Sequence, residues 1–266
     1  MILSVDGRAA YAYTGGRPFD PARPTVVFVH GALFDHSVWT LLARWFAHHG
    51  FGVLALDLPG HMRSEGPALT SIEALADWTL ALLDAAGVAH AALVGHSMGS
   101  LVALEAAARA PQRVDRLVMM GTCVPMPVPA ALLELSRDDP WGAIDRVVTF
   151  SLSTLGAKPS YPGPGAWLHG GARQLMRLVL AHHGDRMLFH NDFSACDRYR
   201  GGLEAATAVR APATLVLADD DRMTLPRGAR EVAQRLKATV HQVAGGHFLM
   251  QEQPDAVLAA LRVALV

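Results

Sequence analysis

The segment ALVGHSMGSLVALEAAARAP (residues 92–111) decides the fold of this chain. An apolar run ends at Gly95, Ser97 lies two residues further on, and Gly99 opens a stretch rich in alanine and leucine. The apolar run is typical of a buried strand, and the later stretch has the spacing of a helix. The two glycines allow strand and helix to cross closely. The pattern therefore predicts a sharp strand-to-helix turn with Ser97 at its tip, in a strained backbone conformation.

Other short runs rich in valine and leucine suit strands that are covered on both faces. They lie at residues 25–30, 51–57, 91–95, 116–121, 213–218 and 238–244. Helical patterns lie between them, at residues 37–49, 71–86, 98–110, 226–236 and 254–265. The first 14 residues predict an antiparallel hairpin at one edge. This alternation predicts an α/β fold, with a mostly parallel, doubly wound sheet of about eight strands and helices on both faces.

The alternation breaks once, between about residues 123 and 208. This part has no convincing strand, but it has helix-like pieces such as 128–136, 140–153 and 171–182, and a Pro/Gly cluster at 156–166. It is too long for an ordinary loop. We therefore predict two units in the chain. They are a core domain of residues 1–122 and 209–266, and a helical cap (lid) insertion of residues 123–208.

Composition bounds the class of protein. The chain has 266 residues, of which 51% are hydrophobic and 18% charged, so it can bury a sizeable core. A formal net charge of −1 provides no long-range attraction to nucleic acid or to an anionic membrane. The start of the chain lacks a secretion-signal pattern, and polar residues and a glycine interrupt the most apolar window, 78–95. These features predict a cytoplasmic protein with no nucleic-acid partner and no membrane span.

A serine hydroxyl is a poor nucleophile unless a base lies within hydrogen-bond reach and a carboxylate orients that base. The segment LVLADDDRMTLP places Asp219, Asp220 and Asp221 directly after a strand, and AGGHF places His247 after the next strand. Ligands of open α/β sheets bind at the carboxyl ends of the strands. Ser97, one aspartate and His247 are therefore expected to meet at that edge. These residues alone leave open which aspartate takes part.

The chain resembles the α/β-hydrolase family over nearly its whole length, with a serine nucleophile and a helical cap. Five motifs carry the resemblance, in the family's order. They are VFVHGALFDHSVW as the oxyanion turn, LDLPGHMRS as the loop after the second parallel strand, GHSMG as the nucleophile elbow, ADDDRMTLP as the acid turn and GGHF as the histidine turn. Two positions depart from the family pattern, since Ala218 and Met62 stand where glycines are usual.

The resemblance implies roles for individual residues. Ser97 would be the nucleophile, His247 the general base and then acid, and Asp221 the carboxylate that orients it. The backbone N–H groups of Ala32 and Met98 would form the oxyanion hole. A further set is expected to contact substrate: Leu33, Trp141 and Phe248. The apolar residues of the cap, Trp141 included, have a second interpretation as the cap's own core.

The function expected from this set is an enzyme, a serine hydrolase that cleaves carboxylic esters (EC 3.1.1) through an acyl-enzyme. The substrates would be small to medium and uncharged, because no fixed cation pair is evident. Alternatives on the same triad are C–C bond (diketone) hydrolysis, lactone hydrolysis and perhydrolysis. A different class, a ligand receptor with little turnover, is compatible with the same fold. No organic cofactor is implied.

The remaining candidates have structural interpretations. His30 is expected to orient the oxyanion loop, and His96 to point away from Ser97. Paired histidines at 48–49 and 182–183 match no metal-ligand pattern, so no metal site is predicted. Two cysteines, Cys123 and Cys196, are too few for a disulfide framework and are expected to be buried, reduced thiols.

Overall fold

The computed structural model describes all 266 residues, Met1–Val266. Its centre is an eight-stranded sheet with the order β1-β2-β4-β3-β5-β6-β7-β8. The β1–β2 hairpin pairs antiparallel to β4, and every other neighbouring pair is parallel. This confirms the predicted α/β sheet and its edge hairpin. The strands are β1 Ile2–Val5, β2 Arg8–Tyr13, β3 Thr25–Val29, β4 Gly52–Leu56, β5 Ala91–His96, β6 Val114–Met120, β7 Ala213–Ala218 and β8 Thr239–Val243.

Helices flank the sheet on both sides. Most begin and end within a few residues of the predicted bounds, and one begins at a clear cap, where the Ser71 side chain accepts the N–H of Ala74. The helices are α1 Thr40–His48, α2 Ile72–Ala85, α3 Met98–Arg109, α4 Ala130–Asp138, α5 Pro140–Ser151, α6 Leu168–His182, α7 Leu188–Arg198, α8 Gly202–Ala208, α9 Arg230–Leu236, α10 Leu249–Glu252 and α11 Pro254–Leu265.

Two hydrophobic cores lie on the two faces of the sheet. Alternate residues of β3 show the division, because Val27 packs into one cluster of 40 buried residues and Phe28 into another of 38. All five residues of β3 and all six of β5 are buried. Strands covered on both faces must be apolar throughout, which explains the continuous runs of valine and leucine.

Five helices, α4–α8, occupy the long connection between β6 and β7. We call residues 123–208 the helical insertion. Its helix α8 packs on α3 and α9, and its side chains join both cores, with Ala205 in the first and Ile144 and Phe189 in the second. Two of its helices, α7 and α8, were not among those predicted from the sequence. One of them carries a residue that reaches the candidate site.

Other expectations can be compared directly. Both Cys123 and Cys196 are buried and unpaired. Burial raises the pKa of the Cys123 thiol to about 12, so it is protonated at neutral pH. None of the helices combines the length and apolar character needed to cross a membrane.

Candidate active site

The turn that joins β5 to α3 has the geometry predicted from its glycines. Ser97 stands between the two elements with φ 53° and ψ −120°, a left-handed conformation that is strained for a serine. A Cβ on Gly95 would overlap the carbonyl oxygen of Gly99, and a Cβ on Gly99 would overlap that of Val29. Only glycine allows β3, β5 and α3 to approach this closely, and the approach places Ser97 at the edge of the sheet.

Three side chains form one hydrogen-bonded chain at this edge. The Ser97 Oγ lies 3.0 Å from Nε2 of His247, and Nδ1 of His247 lies 2.9 Å from Oδ2 of Asp221. An ionised carboxylate can only accept, so Nδ1 carries the hydrogen and Nε2 is free to accept the Ser97 hydroxyl proton. His247 and Asp221 are 4% and 2% exposed, which shields this chain from water.

Asp221 is held in place by its own turn. Its Oδ1 accepts the N–H groups of Met223 and Thr224 at 2.9 and 2.8 Å, and its Oδ2 accepts the Thr224 hydroxyl at 2.8 Å. Burial alone would raise the pKa of Asp221, but His247 and these donors outweigh it and lower the pKa below its ordinary value. Asp221 is therefore ionised at neutral pH. Its neighbours Asp219 and Asp220 are exposed, and of the three aspartates only Asp221 contacts His247.

His96 adjoins Ser97 in sequence but supports His247. Its Nε2–H donates to the carbonyl oxygen of His247 at 2.9 Å, and its Nδ1 has no partner. Burial, with His247 nearby, lowers the pKa of His96 to about 3, so the ring is neutral. The ring makes no hydrogen bond with Ser97, and its bond to the His247 carbonyl oxygen supports the histidine loop.

The histidine loop is also fastened to the helical insertion. The Glu252 carboxylate, 3% exposed, accepts the N–H of Gly246 at 3.1 Å, the N–H of Ser153 at 3.1 Å and the hydroxyl of Ser153 at 2.5 Å. The N–H of Phe248 donates to the carbonyl oxygen of Ser151 at 3.2 Å. Phe248 is thus bound directly to the last residue of α5, and Gly246 is linked through Glu252 to Ser153, just beyond it.

The loop after β3 carries Ala32 past Ser97. His30 braces this loop, since its Nδ1 lies 2.8 Å from the Gly31 carbonyl oxygen and its Nε2 accepts the N–H of Leu58 at 3.1 Å. Burial lowers the pKa of His30 to about 3, which keeps its Nε2 free to accept. The N–H groups of Ala32 and Met98 donate to no backbone or side-chain acceptor of the protein. Both are available to an external acceptor.

Two small cavities adjoin Ser97, one of about 50 Å³ and the other of about 30 Å³. They share Ala32, Ser97, Phe193, Met223 and His247. The first is otherwise apolar apart from Thr224, and its wall includes Met126, Pro127, Val128, Pro129, Leu132 and Cys196. The wall of the second includes Phe34, Val147, Met176, Phe189 and Phe248. Neither contains an acidic side chain, a lysine or an arginine. A larger cavity of about 530 Å³ lies between the β1–β2 hairpin and α2, away from Ser97.

The three predicted substrate contacts lie in different surroundings. Phe248 is buried and lines the second cavity, with its ring centroid 4.9 Å from that of Phe34. Leu33 is fully buried and lines neither cavity. Trp141 is 42% exposed on the outside of the insertion, where the Arg177 guanidinium lies over its ring. Only Phe248 is therefore placed where it can touch a ligand beside Ser97.

One group of side chains has the composition of a metal site. The potential ligand atoms of Asp35, His36 and Asp57 lie within 4.8 Å of one another. Asp57 accepts the N–H of His36 at 2.8 Å, its Nδ1–H at 2.7 Å and the N–H of Arg63 at 3.1 Å. These bonds occupy three of the acceptor positions of Asp57 and brace two loops against each other.

Two residues near the site were missed by the sequence analysis. The Thr224 hydroxyl donates to Asp221 and lies 3.2 Å from Nδ1 of His247. The sequence could have indicated this contact, because Thr224 follows Asp221 by only three residues in the same turn. Asp192 of α7 accepts the N–H of Leu33 and a hydrogen from His61. No local pattern marks Asp192, because its partners lie far away in the chain.

Comparison with known proteins gives a consistent result. Residues 24–155 match the family model described as alpha/beta hydrolase fold. The chain is 41% identical over 124 residues to the dihydrolipoyllysine-residue acetyltransferase component of an acetoin cleaving system from Cupriavidus necator, a match that covers 46% of this chain and 31% of that protein. It is 29% identical over 104 residues to a putative esterase/lipase of Haemophilus influenzae, covering 39% and 36%. The chain thus spans about a third of the length of these relatives.

A solved structure matches over the full length. The enol-lactonase from Burkholderia xenovorans superposes with a TM-score of 0.85, covering 100% of this chain and 99% of that one, at 22% identity. Agreement at this identity concerns the fold. Taken with the sheet order and the family match, it shows that the chain has the α/β-hydrolase fold.

Proposed function

We propose that the protein is a serine hydrolase that cleaves carboxylic esters through an acyl-enzyme intermediate. The observation that carries this proposal is the continuous hydrogen-bonded chain from Ser97 through His247 to Asp221, with distances of 3.0 and 2.9 Å. This arrangement gives a serine hydroxyl both a base and an oriented tautomer of that base. A purely structural role would not require the strained backbone at Ser97.

In the first half of the reaction, Nε2 of His247 takes the Ser97 proton as Oγ attacks the ester carbonyl carbon. Asp221 stabilises the imidazolium and keeps its orientation. The N–H groups of Ala32 and Met98 donate to the oxyanion, and each such donor is typically worth about 10²–10³ in rate. His247 then protonates the leaving alcohol. In the second half, a water gives its proton to His247 and attacks the acyl carbon. The bond from Ser97 Oγ to the acyl carbon then breaks, His247 returns the proton to Oγ, and the acid is released.

The cavities indicate which esters fit. A cavity needs about 10–15 Å³ of such space to hold one water molecule, so each of the two has room for a few. An acyl group of a few carbons fills such a space, and the absence of charged lining residues disfavours charged acyl groups. We therefore propose small, uncharged esters, with the helical insertion acting as the cap over a core of residues 1–122 and 209–266.

A second candidate is lactone hydrolysis, which uses the same steps on a cyclic ester. The similarity in fold to an enol-lactonase favours it. The two reactions differ in the leaving group, because the alcohol of a lactone stays attached to the acyl-enzyme. Assaying matched linear and cyclic esters of equal carbon number separates the two candidates.

The central test uses a fluorophosphonate probe and p-nitrophenyl acetate. We expect the protein to take the probe and to hydrolyse the ester, and Ser97→Ala to lose labelling and at least about 10⁴-fold in kcat. Gel fluorescence and absorbance measure the two outcomes. Ser100→Ala, on the first turn of α3, is a matched serine control and should still label. A folded protein that takes no probe and turns over neither linear nor cyclic esters would instead be a ligand receptor.

A further inference from the structure

A carboxylate of the helical insertion reaches the loop that carries Ala32. Asp192 lies in α7 and is 2% exposed. Its Oδ2 accepts the N–H of Leu33 at 2.8 Å and a hydrogen from Nε2 of His61 at 3.0 Å. Leu33 follows β3 and His61 follows β4. A single oxygen atom therefore joins the insertion to two loops at the carboxyl edge of the sheet.

Asp192 and His61 form a buried pair. Burial alone would lower the pKa of His61, but the Asp192 carboxylate overcomes this and raises the pKa above its ordinary value. Buried ion pairs are weak contributors to stability, since apolar side chains of similar volume often do as well. What an apolar side chain cannot do is accept the N–H of Leu33. The carboxylate therefore fixes the direction of the Leu33 N–H, which apolar packing would not do.

That N–H belongs to the central peptide of a tight turn. The Phe34 N–H donates to the Gly31 carbonyl oxygen at 3.3 Å, and Leu33, the third residue of the turn, has a φ of 53°. A positive φ at this position is the mark of a type II turn, where glycine is usual. Leucine is strained there, at a cost of about 1–3 kcal/mol. Turning over the Ala32–Leu33 peptide would convert the turn to type I and remove the strain.

Asp192 opposes that conversion. In the observed turn the Leu33 N–H faces the carboxylate, whereas in the type I turn the Ala32 carbonyl oxygen would face it and be repelled. The loop also runs directly against the nucleophile, because a Cβ added to Gly31 would lie 3.1 Å from the Cβ of Ser97. Without this acceptor the loop would be free to shift relative to Ser97. A misplacement of about 1 Å can cost on the order of 10²-fold in rate.

We propose that Asp192 is a positioning residue for the oxyanion hole: its carboxylate binds the Leu33 N–H and so anchors the loop that carries the Ala32 N–H beside Ser97. This inference rests on the proposed hydrolase function. The next residue of α7, Phe193, lines both cavities, so one helix of the insertion shapes the cavities and holds the loop. When the insertion packs against the core, it therefore also places the loop that forms the oxyanion hole.

The test compares Asp192→Leu, which removes the acceptor at similar volume, with Asp192→Asn, whose amide oxygen can still accept both donors. Rates on p-nitrophenyl acetate are normalised to the sites titrated by the fluorophosphonate probe. We expect Asp192→Leu to lose about 10–100-fold in kcat with KM changed by less than about 3-fold. A trifluoromethyl ketone, which forms a tetrahedral adduct with an oxyanion, should bind more weakly by the same factor. Asp192→Asn should stay within about 5-fold of the wild type in both measurements.

A structural role alone predicts something different: fewer active sites and a lower Tm, with an unchanged kcat per titrated site. That result would overturn the inference. The control is Asp145→Leu, which removes an insertion carboxylate that pairs with Arg173 and Arg177 and leaves the loop untouched. If Asp192→Leu does not fold, Asp192→Ala carries the same expectation. A folded wild-type protein that neither takes the probe nor cleaves the ester overturns both the proposed function and this inference, whereas an active wild type with equally active Asp192 variants overturns the inference alone.

Discussion

Asp221 differs from its two sequence neighbours in both burial and partners. It is buried and binds His247 and Thr224, while Asp219 and Asp220 are exposed. We expect Asp221→Asn to lower kcat by about 10⁴-fold, because the amide no longer fixes the tautomer of His247 that can accept the Ser97 proton. Steady-state hydrolysis of p-nitrophenyl acetate measures the effect.

The matched control for this prediction is Asp220→Asn, which should stay within about 2-fold of the wild type, as exposed substitutions usually do. Circular dichroism establishes that both variants are folded. Equal losses in the two variants would mean that Asp221 does not orient the base, and the assignment of the triad would then fail.

Individual residues differ in how far the sequence predicts them. Ser97 and His247 stand in short motifs whose glycines and flanking strands are local, so their convergence follows from the strand order. Asp192 gives no such signal, because its partners His61 and Leu33 lie 131 and 159 positions away. Contacts at that separation depend on how the insertion is seated on the core, which spacing along the chain does not encode.

At the scale of elements, α6 contributes one face to the second cavity and another to the surface. Met176 is buried and lines the cavity, whereas Leu178 is 51% exposed on the same helix. Met176→Ala removes side-chain volume from the cavity wall. We expect it to raise kcat/KM for p-nitrophenyl hexanoate relative to the acetate by at least about 10-fold, since one methylene in an apolar pocket is worth about 1–3 kcal/mol.

Leu178→Ala is the control for that prediction, because it makes the same kind of truncation on α6 without touching the cavity. Its preference for acetate over hexanoate should equal that of the wild type. An unchanged preference in a folded Met176→Ala protein would show that the acyl chain does not enter this cavity.

The helices of the insertion were harder to predict than those of the core. In α7 the apolar stripe is broken by Asp192, a charged residue on the buried face. The helical period is therefore weakest at the residue that contacts the loop after β3. The seven residues of α8, Gly202–Ala208, are too short for a period to be read. Periodicity also does not say which face of a helix meets a cavity, which is why Trp141 was expected to touch substrate but lies on the outside. Its role stays a prediction without a supporting contact.

For the molecule as a whole, buried histidines couple folding to pH. The pKa of His96 is lowered to about 3, whereas its unfolded value is close to 6.5. Between these values the unfolded chain binds the proton and the folded chain does not, so stability falls as the pH falls. Between pH 7 and pH 5 this costs about 2 kcal/mol for His96. His30 acts in the same direction. His61, with a raised pKa, opposes them, because its contribution is present at low pH and is lost as the pH rises.

Between pH 7 and pH 5 the free energy of unfolding of the wild type should fall. In His96→Asn we expect this fall to be about 2 kcal/mol smaller, because the residue that takes up the proton on unfolding is gone. Urea unfolding followed by tryptophan fluorescence measures both. His182→Asn, at an exposed position, should leave the pH dependence of the wild type unchanged. Parallel curves for His96→Asn and the wild type would show that His96 is protonated equally in the folded and unfolded chains.

The position of the insertion's two ends has a consequence for descent. The insertion leaves the sheet after β6 and returns to it at β7, and these strands are direct neighbours, paired in parallel from Leu117 with Ala213 to Met120 with Val216. Because the two strands are parallel, the insertion leaves at the carboxyl end of β6 and must return at the amino end of β7, and doubling its length adds only about 0.6 kcal/mol of closure entropy. In evolution, another helical segment could therefore replace residues 123–208. The residues of the core at the carboxyl edge would stay in place, and the side chains that contact the substrate would change. Any replacement segment would still have to provide a hydrogen-bond acceptor for the N–H of Leu33.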